Sequence, residues 1–219
     1  MKDKRKMIEA TMKEFIVKNL KWIILFLCLV GFLALAEDVF NKEIMNGDII
    51  GYKLISTFLI SDFATPIAKF ITNFGGAIFL AILTIILFIL IKNKKIGVSI
   101  FSNLAIITAL NQLLKNILQR PRPTEYRIIE ETGYSFPSGH SMISMAFYGY
   151  LIYLIYKYVK NKYVKWISMA LLSLLICSIG ISRIYLGVHY TSDVLGGFLI
   201  SISYLVIYIS AVNKFLIEK

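Results

Sequence analysis

The sequence predicts an all-α protein, a polytopic membrane helical bundle with six transmembrane helices that forms one membrane-embedded domain over residues 1–219. Composition is the first reason. Hydrophobic residues make up 58% of the chain and charged residues 17%, whereas soluble domains average about 45–50% and about 25%. The second reason is that the apolar residues lie in long runs, because a helix needs about 20 of them to cross a bilayer. A disordered chain, a disulfide-stapled secreted domain and a soluble enzyme are therefore excluded.

A basic, polar segment, residues 1–21, opens the chain and is predicted to be cytoplasmic. The tripeptide Ala34-Leu35-Ala36 has the pattern of a signal-peptide cleavage site. The basic segment before it is long for a signal peptide, so we expect an uncleaved first span, with cleavage as the alternative. The six predicted spans are residues 22–36, 74–91, 96–118, 141–156, 166–181 and 194–212.

The segment 49–70 is apolar enough to resemble a further span. It is interrupted by two lysines, an aspartate and a proline: Lys53, Asp62, Lys69 and Pro66. We expect it to lie at the membrane surface as an amphipathic segment, within an extracytoplasmic interfacial stretch of residues 37–73.

Charge decides the topology. With six spans, the two termini and the loops 92–95 and 157–165 share one side, which carries 16 of the 24 basic residues and only 4 of the 13 acidic ones. By the positive-inside rule this side is cytoplasmic, and a seventh span at 49–70 would break the pattern. The same rule explains the net charge of +11, so nucleic-acid binding is not needed to account for it. Cys28 and Cys177 lie in apolar runs, and we expect buried thiols.

The chain contains two histidines, and both stand in unusual surroundings. His140 ends the tetrapeptide Pro137-Ser138-Gly139-His140, and His189 lies in Ser182-Arg183-x5-His189-x3-Asp193. A third piece, Lys115-x6-Arg122-Pro123, ends the third predicted span. All three pieces emerge on the extracytoplasmic side of the predicted topology, which indicates a single active site there.

The residue types indicate what this site does. His189 and Asp193 share a helix face, so the carboxylate can fix the imidazole tautomer and leave the other ring nitrogen as a nucleophile. Ser138 is a predicted N-cap, and a helix start with a free Gly139 amide binds anions. Three cations from separate segments would repel one another unless an anion lay between them: Lys115, Arg122 and Arg183. Phosphate fits, and His140 is placed to act as acid and base.

Each residue also has a simpler interpretation. Lys115 alone would be a snorkelling lysine, Arg122 a loop charge and Asp193 a helix cap. The occurrence of all three pieces in order and on one side favours the site. Asn111 and Gln112, one turn before Lys115, are expected to support it.

Taken together, these motifs resemble the three signatures of the type 2 phosphatidic acid phosphatase family, the membrane lipid phosphate phosphatases. Every fixed position of the family pattern is matched between Lys115 and Asp193. The resemblance implies a phosphohistidine nucleophile at His189, an orienting carboxylate at Asp193 and an acid and base at His140. It also implies phosphate binding by five residues: Lys115, Arg122, Ser138, Gly139 and Arg183. It implies no metal and no cofactor, and a helical core shared with vanadium-dependent haloperoxidases.

The predicted partners are the bilayer and a membrane lipid phosphate, with no nucleic acid and no obligate protein partner. The resemblance allows undecaprenyl pyrophosphate, phosphatidylglycerophosphate and phosphatidic acid as substrates. A transporter or channel is one alternative, but the spans carry almost no charge between their ends. A non-catalytic membrane protein is the other, but no motif residue is missing. A haloperoxidase-like enzyme would not need a bilayer.

Overall fold

The computed structural model describes residues 2–42 and 45–217, and this part of the chain is almost entirely helical, without a β-strand. A π-helical turn, Asn213–Ile217, follows the last α-helix. The α-helices are α1 Lys2–Phe40, α2 Asn46–Phe58, α3 Ala64–Asn73, α4 Ala77–Leu90, α5 Lys94–Leu118, α6 Gly139–Tyr158, α7 Lys162–Tyr185 and α8 Thr191–Val212. The predicted all-α membrane bundle is thereby confirmed.

Within the described residues, four stretches have the length and hydropathy of membrane spans: Lys18–Phe40, Lys94–Leu118, Lys162–Tyr185 and Thr191–Phe215. The α3–α4 pair makes a fifth if it counts as one broken span, with a 51° bend between its halves. The remaining predicted span, residues 141–156, corresponds to α6, which has 20 residues but carries a histidine, two serines and five tyrosines. The predicted count of six is therefore approximate, because α4 alone has 14 residues and α6 is not among the stretches that meet the hydropathy criterion.

The centre of the bundle is α6, which packs against α5, α7 and α8, while α1 packs on α8. Small residues let these backbones approach. A Cβ at Gly197 would lie 3.1 Å from the Met142 amide nitrogen and 3.2 Å from the Ser138 carbonyl oxygen. The Ser201 hydroxyl donates a 2.7 Å hydrogen bond to the Met142 carbonyl. The first turn of α6 and the first half of α8 are consequently held together at one end of the bundle.

The helices α2 and α3, of 13 and 10 residues, are each too short to cross a bilayer alone. Along α2 the side chains of Ile49, Ile50, Leu54 and Phe58 are exposed, the last to 77%. Asp48 on the same helix is 3% exposed and points into the protein. An interfacial position for residues 37–73 stays a prediction, but α2 also packs against α7 and α8 and contributes a buried carboxylate.

The two cysteines are free thiols, as predicted, but the expected burial is wrong. Cys177 is exposed on the surface of α7, and Cys28 on α1 is only partly buried. Both lie in runs that are apolar on all sides, so hydropathy alone could not distinguish a face that packs on protein from one that would meet lipid.

Candidate active site

The nucleophile pair predicted at the start of α8 is present. His189 Nδ1 lies 3.2 Å from Asp193 Oδ2, and the carboxylate is fully buried. The same Oδ2 accepts a 2.9 Å hydrogen bond from the Tyr190 amide. Asp193 thus does what both interpretations expected of it, because it stabilises the helix start and orients the imidazole.

The second ring nitrogen of His189 faces a cation. Arg122 Nη1 lies 3.0 Å from His189 Nε2, and because a guanidinium can only donate, Nε2 must be the acceptor. The proton of the neutral ring is then on Nδ1, directed at Asp193. Arg122 itself is held by three carbonyl oxygens, from Thr132, Gly133 and Val188. This tautomer leaves a lone pair on Nε2.

Arg183 approaches the site from the end of α7 and is 1% exposed. Its Nη1 donates a 2.8 Å hydrogen bond to Thr72 Oγ1 on α3, and its Nη2 pairs with the Glu131 carboxylate. Among the described residues its buried Nε has no hydrogen-bond partner. The Nε–H donor is thus left for an anion, and a carboxylate already occupies part of the basic site.

Lys115 is the third cation and stands in the last turn of α5. Its ammonium group donates to the Tyr134 carbonyl oxygen in the loop of residues 119–138. A Cβ at Gly139 would lie 3.9 Å from Lys115 Cε, so this lysine packs on the start of α6. Lys115, Arg122 and Arg183, here called the basic cradle, therefore meet where the three motifs converge.

The start of α6 is built as an anion site. Ser138 is the N-cap residue, as predicted, but among the described residues its side chain makes no capping hydrogen bond. Instead, Ser138 Oγ accepts a 3.0 Å hydrogen bond from Ser141. The first amides of the helix, beginning with Gly139, have no intrahelical acceptor, because each amide of an α-helix donates to the carbonyl four residues before it. The amides and the Ser138 hydroxyl proton remain for a ligand.

His140 is the second residue of α6 and is partly buried. A Cβ at Gly75 would lie 3.3 Å from the His140 ring, and one at Gly76 would lie 4.0 Å from its Nε2. The break between α3 and α4 passes over this ring, and a side chain at Gly75 would crowd it. His140 interacts electrostatically with Arg183, Glu131 and His189, which places it in the same site.

Burial and charge together set the protonation of His189. Its pKa is held well below 6.5, first because burial removes the water that would solvate the charged ring. Repulsion by the basic cradle is the second cause, and the Glu131 carboxylate opposes it. The imidazole is consequently neutral at pH 7, the form in which Nε2 is nucleophilic.

Of the two polar residues expected to support the site, one does. Asn111 is buried, and its amide donates to the Pro137 carbonyl at 3.3 Å, which holds the turn before α6. Gln112 is exposed and donates to Asn116 at 3.3 Å, so its predicted role is wrong. One residue along a helix is a rotation of about 100°, which turns Gln112 away from the site.

Sequence reasoning missed a buried ion-pair network behind the nucleophile. The motifs single out neither Arg120 nor Asp48, yet Arg120 Nη1 lies 2.7 Å from Asp193 Oδ1 and Arg120 Nη2 lies 2.7 Å from Asp48 Oδ2. Burial alone would lower the pKa of Arg120, but these two carboxylates raise it. Asp48 lies 72 residues before Arg120, and no local pattern joins them.

A cavity of about 840 Å³ borders His189. It is lined by α2, the loop of residues 119–138 and the start of α8, and it contains Tyr52, Lys53, Tyr126 and Tyr190. The volume lies within the range of about 300–1,000 Å³ typical of ligand pockets. Among the residues that the structure describes, no three His, Cys, Asp or Glu side chains are arranged to hold a metal ion. Metal independence stays a prediction.

Residues 96–217, more than half of the chain, match the PAP2 superfamily. The chain belongs to this superfamily. The resemblance to the type 2 phosphatidic acid phosphatases is thereby confirmed, and the matched region contains the basic cradle, the start of α6 and both histidines. Asp48 and the helices α1 to α4 precede it.

Three relatives carry phosphatase names. A phosphatidylglycerophosphatase B of Bacillus subtilis (strain 168) is 41% identical over 93 residues, 41% of this chain and 44% of that protein. An undecaprenyl-diphosphatase of Sulfolobus acidocaldarius is 26% identical over 167 residues, 74% of this chain and 73% of that protein. Dolichyldiphosphatase 1 of Dictyostelium discoideum is 30% identical over 137 residues, 61% and 58% of the two chains. The match to the Bacillus protein covers less than half of its length.

Two solved structures share the fold. One is the crystal structure of the first transmembrane PAP2 type phosphatidylglycerolphosphate phosphatase from Bacillus subtilis, with a TM-score of 0.77 and 26% identity over 87% of this chain and 96% of that one. The other is Aquifex aeolicus LpxE, with a TM-score of 0.58 and 22% identity over 73% and 92% of the two chains. The chain is therefore a multi-pass membrane protein with the PAP2 transmembrane fold.

Proposed function

We propose that this protein hydrolyses the phosphate or diphosphate group of a membrane lipid through a phosphohistidine at His189. One observation carries the proposal: His189 is held by a buried carboxylate on Nδ1 and faces a guanidinium with the lone pair of Nε2. Superfamily membership and the names of the relatives support the reaction class.

The first half of the reaction transfers the phosphoryl group to the enzyme. The basic cradle and the amides of α6 bind the phosphate oxygens, and Arg122 exchanges its contact with Nε2 for one with phosphate. Nε2 then attacks phosphorus as the bond to the lipid oxygen breaks, and His140 gives that oxygen its proton. Asp193 stabilises the positive charge that develops on the ring.

The second half releases inorganic phosphate. His140 takes a proton from water, the new hydroxide oxygen bonds to phosphorus, and the bond from phosphorus to Nε2 breaks. His189 returns to its neutral form and His140 to its acid form. The cavity beside His189 is large enough to hold the group attached to the phosphate, which supports the proposal.

An active site on the extracytoplasmic face, with both termini in the cytoplasm, is the orientation that the distribution of basic residues favours. Its substrate would then be a lipid of the outer leaflet with its phosphate at headgroup level. We rank undecaprenyl pyrophosphate and phosphatidylglycerophosphate above a soluble phosphate ester, and the names of two relatives agree with this ranking.

Detergent-purified protein tests the proposal on a panel of undecaprenyl pyrophosphate, phosphatidylglycerophosphate, phosphatidic acid and a soluble aryl phosphate. His189→Ala should abolish phosphate release, and Asp193→Asn should lower kcat by about 10³–10⁴ because the ring loses its orienting charge. Cys177→Ser, exposed on α7, is the control and should match the wild type. Near-normal turnover by His189→Ala would overturn the assignment.

A further inference from the structure

The guanidinium of Arg120 lies between two carboxylates, is shielded from solvent and is not part of the basic cradle. One of its nitrogens is 2.7 Å from Asp193 and the other is 2.7 Å from Asp48. The Tyr190 ring covers its face, with Cζ 4.1 Å from the ring centroid. Because both pairs are short and Arg120 is 6% exposed, this ion-pair triad is a fixed part of the interior.

Arg120 contacts one oxygen of Asp193, and the other oxygen, which also accepts from the Tyr190 amide, faces His189. Oδ1 is taken by Arg120, and Oδ2 contacts His189 Nδ1. Asp48 Oδ1 in turn accepts from both the amide and the hydroxyl of Ser192, at 2.8 and 2.7 Å. A Cβ at Gly51 would lie 2.1 Å from Thr191 Oγ1, so α2 is pressed directly against the first turn of α8.

The count of charges explains why a second carboxylate is present. Arg120 and Asp193 alone would be a neutral pair, and His189 would gain little from a carboxylate whose charge is already cancelled. With Asp48 the triad carries one net negative charge beside a neutral ring. That charge is balanced when the ring becomes positive as a phosphohistidine.

We propose that Asp48 and Arg120 are positioning residues for the reaction. Arg120 orients Asp193, and Asp48 neutralises Arg120, so that the charge of Asp193 remains available to His189. The proposal rests on the proposed function. It assigns a role in the reaction to α2, a helix that precedes the matched superfamily region and presents apolar side chains on its exposed surface.

The test compares variants of the purified, full-length protein by kcat, KM and thermal midpoint. Asp48→Asn should lower kcat by about 10- to 100-fold, the range typical when a residue that orients a metal ligand is lost. KM should change by less than about twofold because the basic cradle is intact. Asp48→Asn combined with Arg120→Gln should recover most of the lost kcat. The pair removes both charges, and the glutamine amide can still donate to Asp193. Asp62→Asn, an exposed carboxylate of the same extracytoplasmic stretch, is the matched control.

A purely structural role predicts a different pattern. In that case Asp48→Asn would lower the thermal midpoint while the folded variant kept its kcat within about twofold of the wild type, which would overturn the proposal. A double variant less active than Asp48→Asn alone would also overturn it. His189→Ala, assayed in parallel, tests the nucleophile separately. If His189→Ala loses activity but Asp48→Asn keeps the kcat of the wild type, only the positioning role is refuted.

Discussion

Glu131 occupies part of the basic cradle, and its charge should weaken the binding of phosphate. Its carboxylate pairs with Arg183 and lies 3.9 Å from Arg122 Nη2. Burial would raise the pKa of Glu131, but the charge and hydrogen bond of Arg183, together with smaller effects of His140 and Arg122, outweigh burial and lower the pKa, so the group is ionised. An incoming phosphate must displace this carboxylate from the two arginines and then remain near it.

The magnitude follows from distance and exposure. Two unit charges at about 4 Å interact by about 4 kcal/mol at an effective dielectric of about 20 and by about 1 kcal/mol in water. The Glu131 side chain is 27% exposed, which places the competition at about 1–2 kcal/mol. Because about 1.4 kcal/mol corresponds to tenfold in affinity, Glu131→Gln should lower the Ki of orthovanadate by about tenfold. The glutamine oxygen can still accept from Arg183, so the loop keeps its anchor.

The assay is inhibition of phosphate release by orthovanadate, with the dissociation constant of inorganic phosphate as a second readout. Glu130→Gln is the matched control, since it removes the same charge from the neighbouring position. The Glu130 side chain is 93% exposed and pairs with Arg127 instead of the cradle. An unchanged or higher Ki for Glu131→Gln would refute the reasoning and show that this carboxylate organises the arginines for the anion.

Three further predictions concern metal, pH and sidedness. Activity should survive excess EDTA and be blocked by orthovanadate, because side-chain cations neutralise the phosphate; complete loss restored by Mg²⁺ contradicts this. The pKa of His189 lies well below 6.5, and protonation removes the nucleophile as the pH falls through that pKa. The acidic limb of kcat/KM, corrected for titration of the substrate phosphate, should therefore lie below pH 6.5, and a limb above neutrality would rule it out. With Cys28 and Cys177 replaced by serine, a cysteine in residues 124–136 should react with an impermeant thiol reagent on intact cells, and one in 157–165 only after lysis. The reversed pattern would place the site in the cytoplasm.

The sequence by itself determined the helical membrane class and the identity of the chemical groups. Hydropathy is a local property, so runs of apolar residues identify membrane helices even where their ends shift by a few residues. His189 and Asp193 are also local: four residues at a helix start put them on one face, and the structure has them in contact. Asn111 was found for the same reason, one turn before Lys115.

The tertiary structure alone decided which charges oppose one another. Asp48, Arg120 and Asp193 are separated by 72 and 73 residues along the chain, and nothing in their local sequence distinguishes them from loop and surface charges. In the sequence, Glu131 is likewise one of several acidic residues in a polar loop, and only the fold brings it into contact with Arg183. The burial expected of Cys28 and Cys177 was wrong because an apolar run has the same hydropathy whether lipid or protein covers it. Electrostatic interactions depend on distance in space and not on separation along the chain. The packing of α2 and the loop of residues 119–138 onto the start of α8 brings Arg120 within 3 Å of both carboxylates.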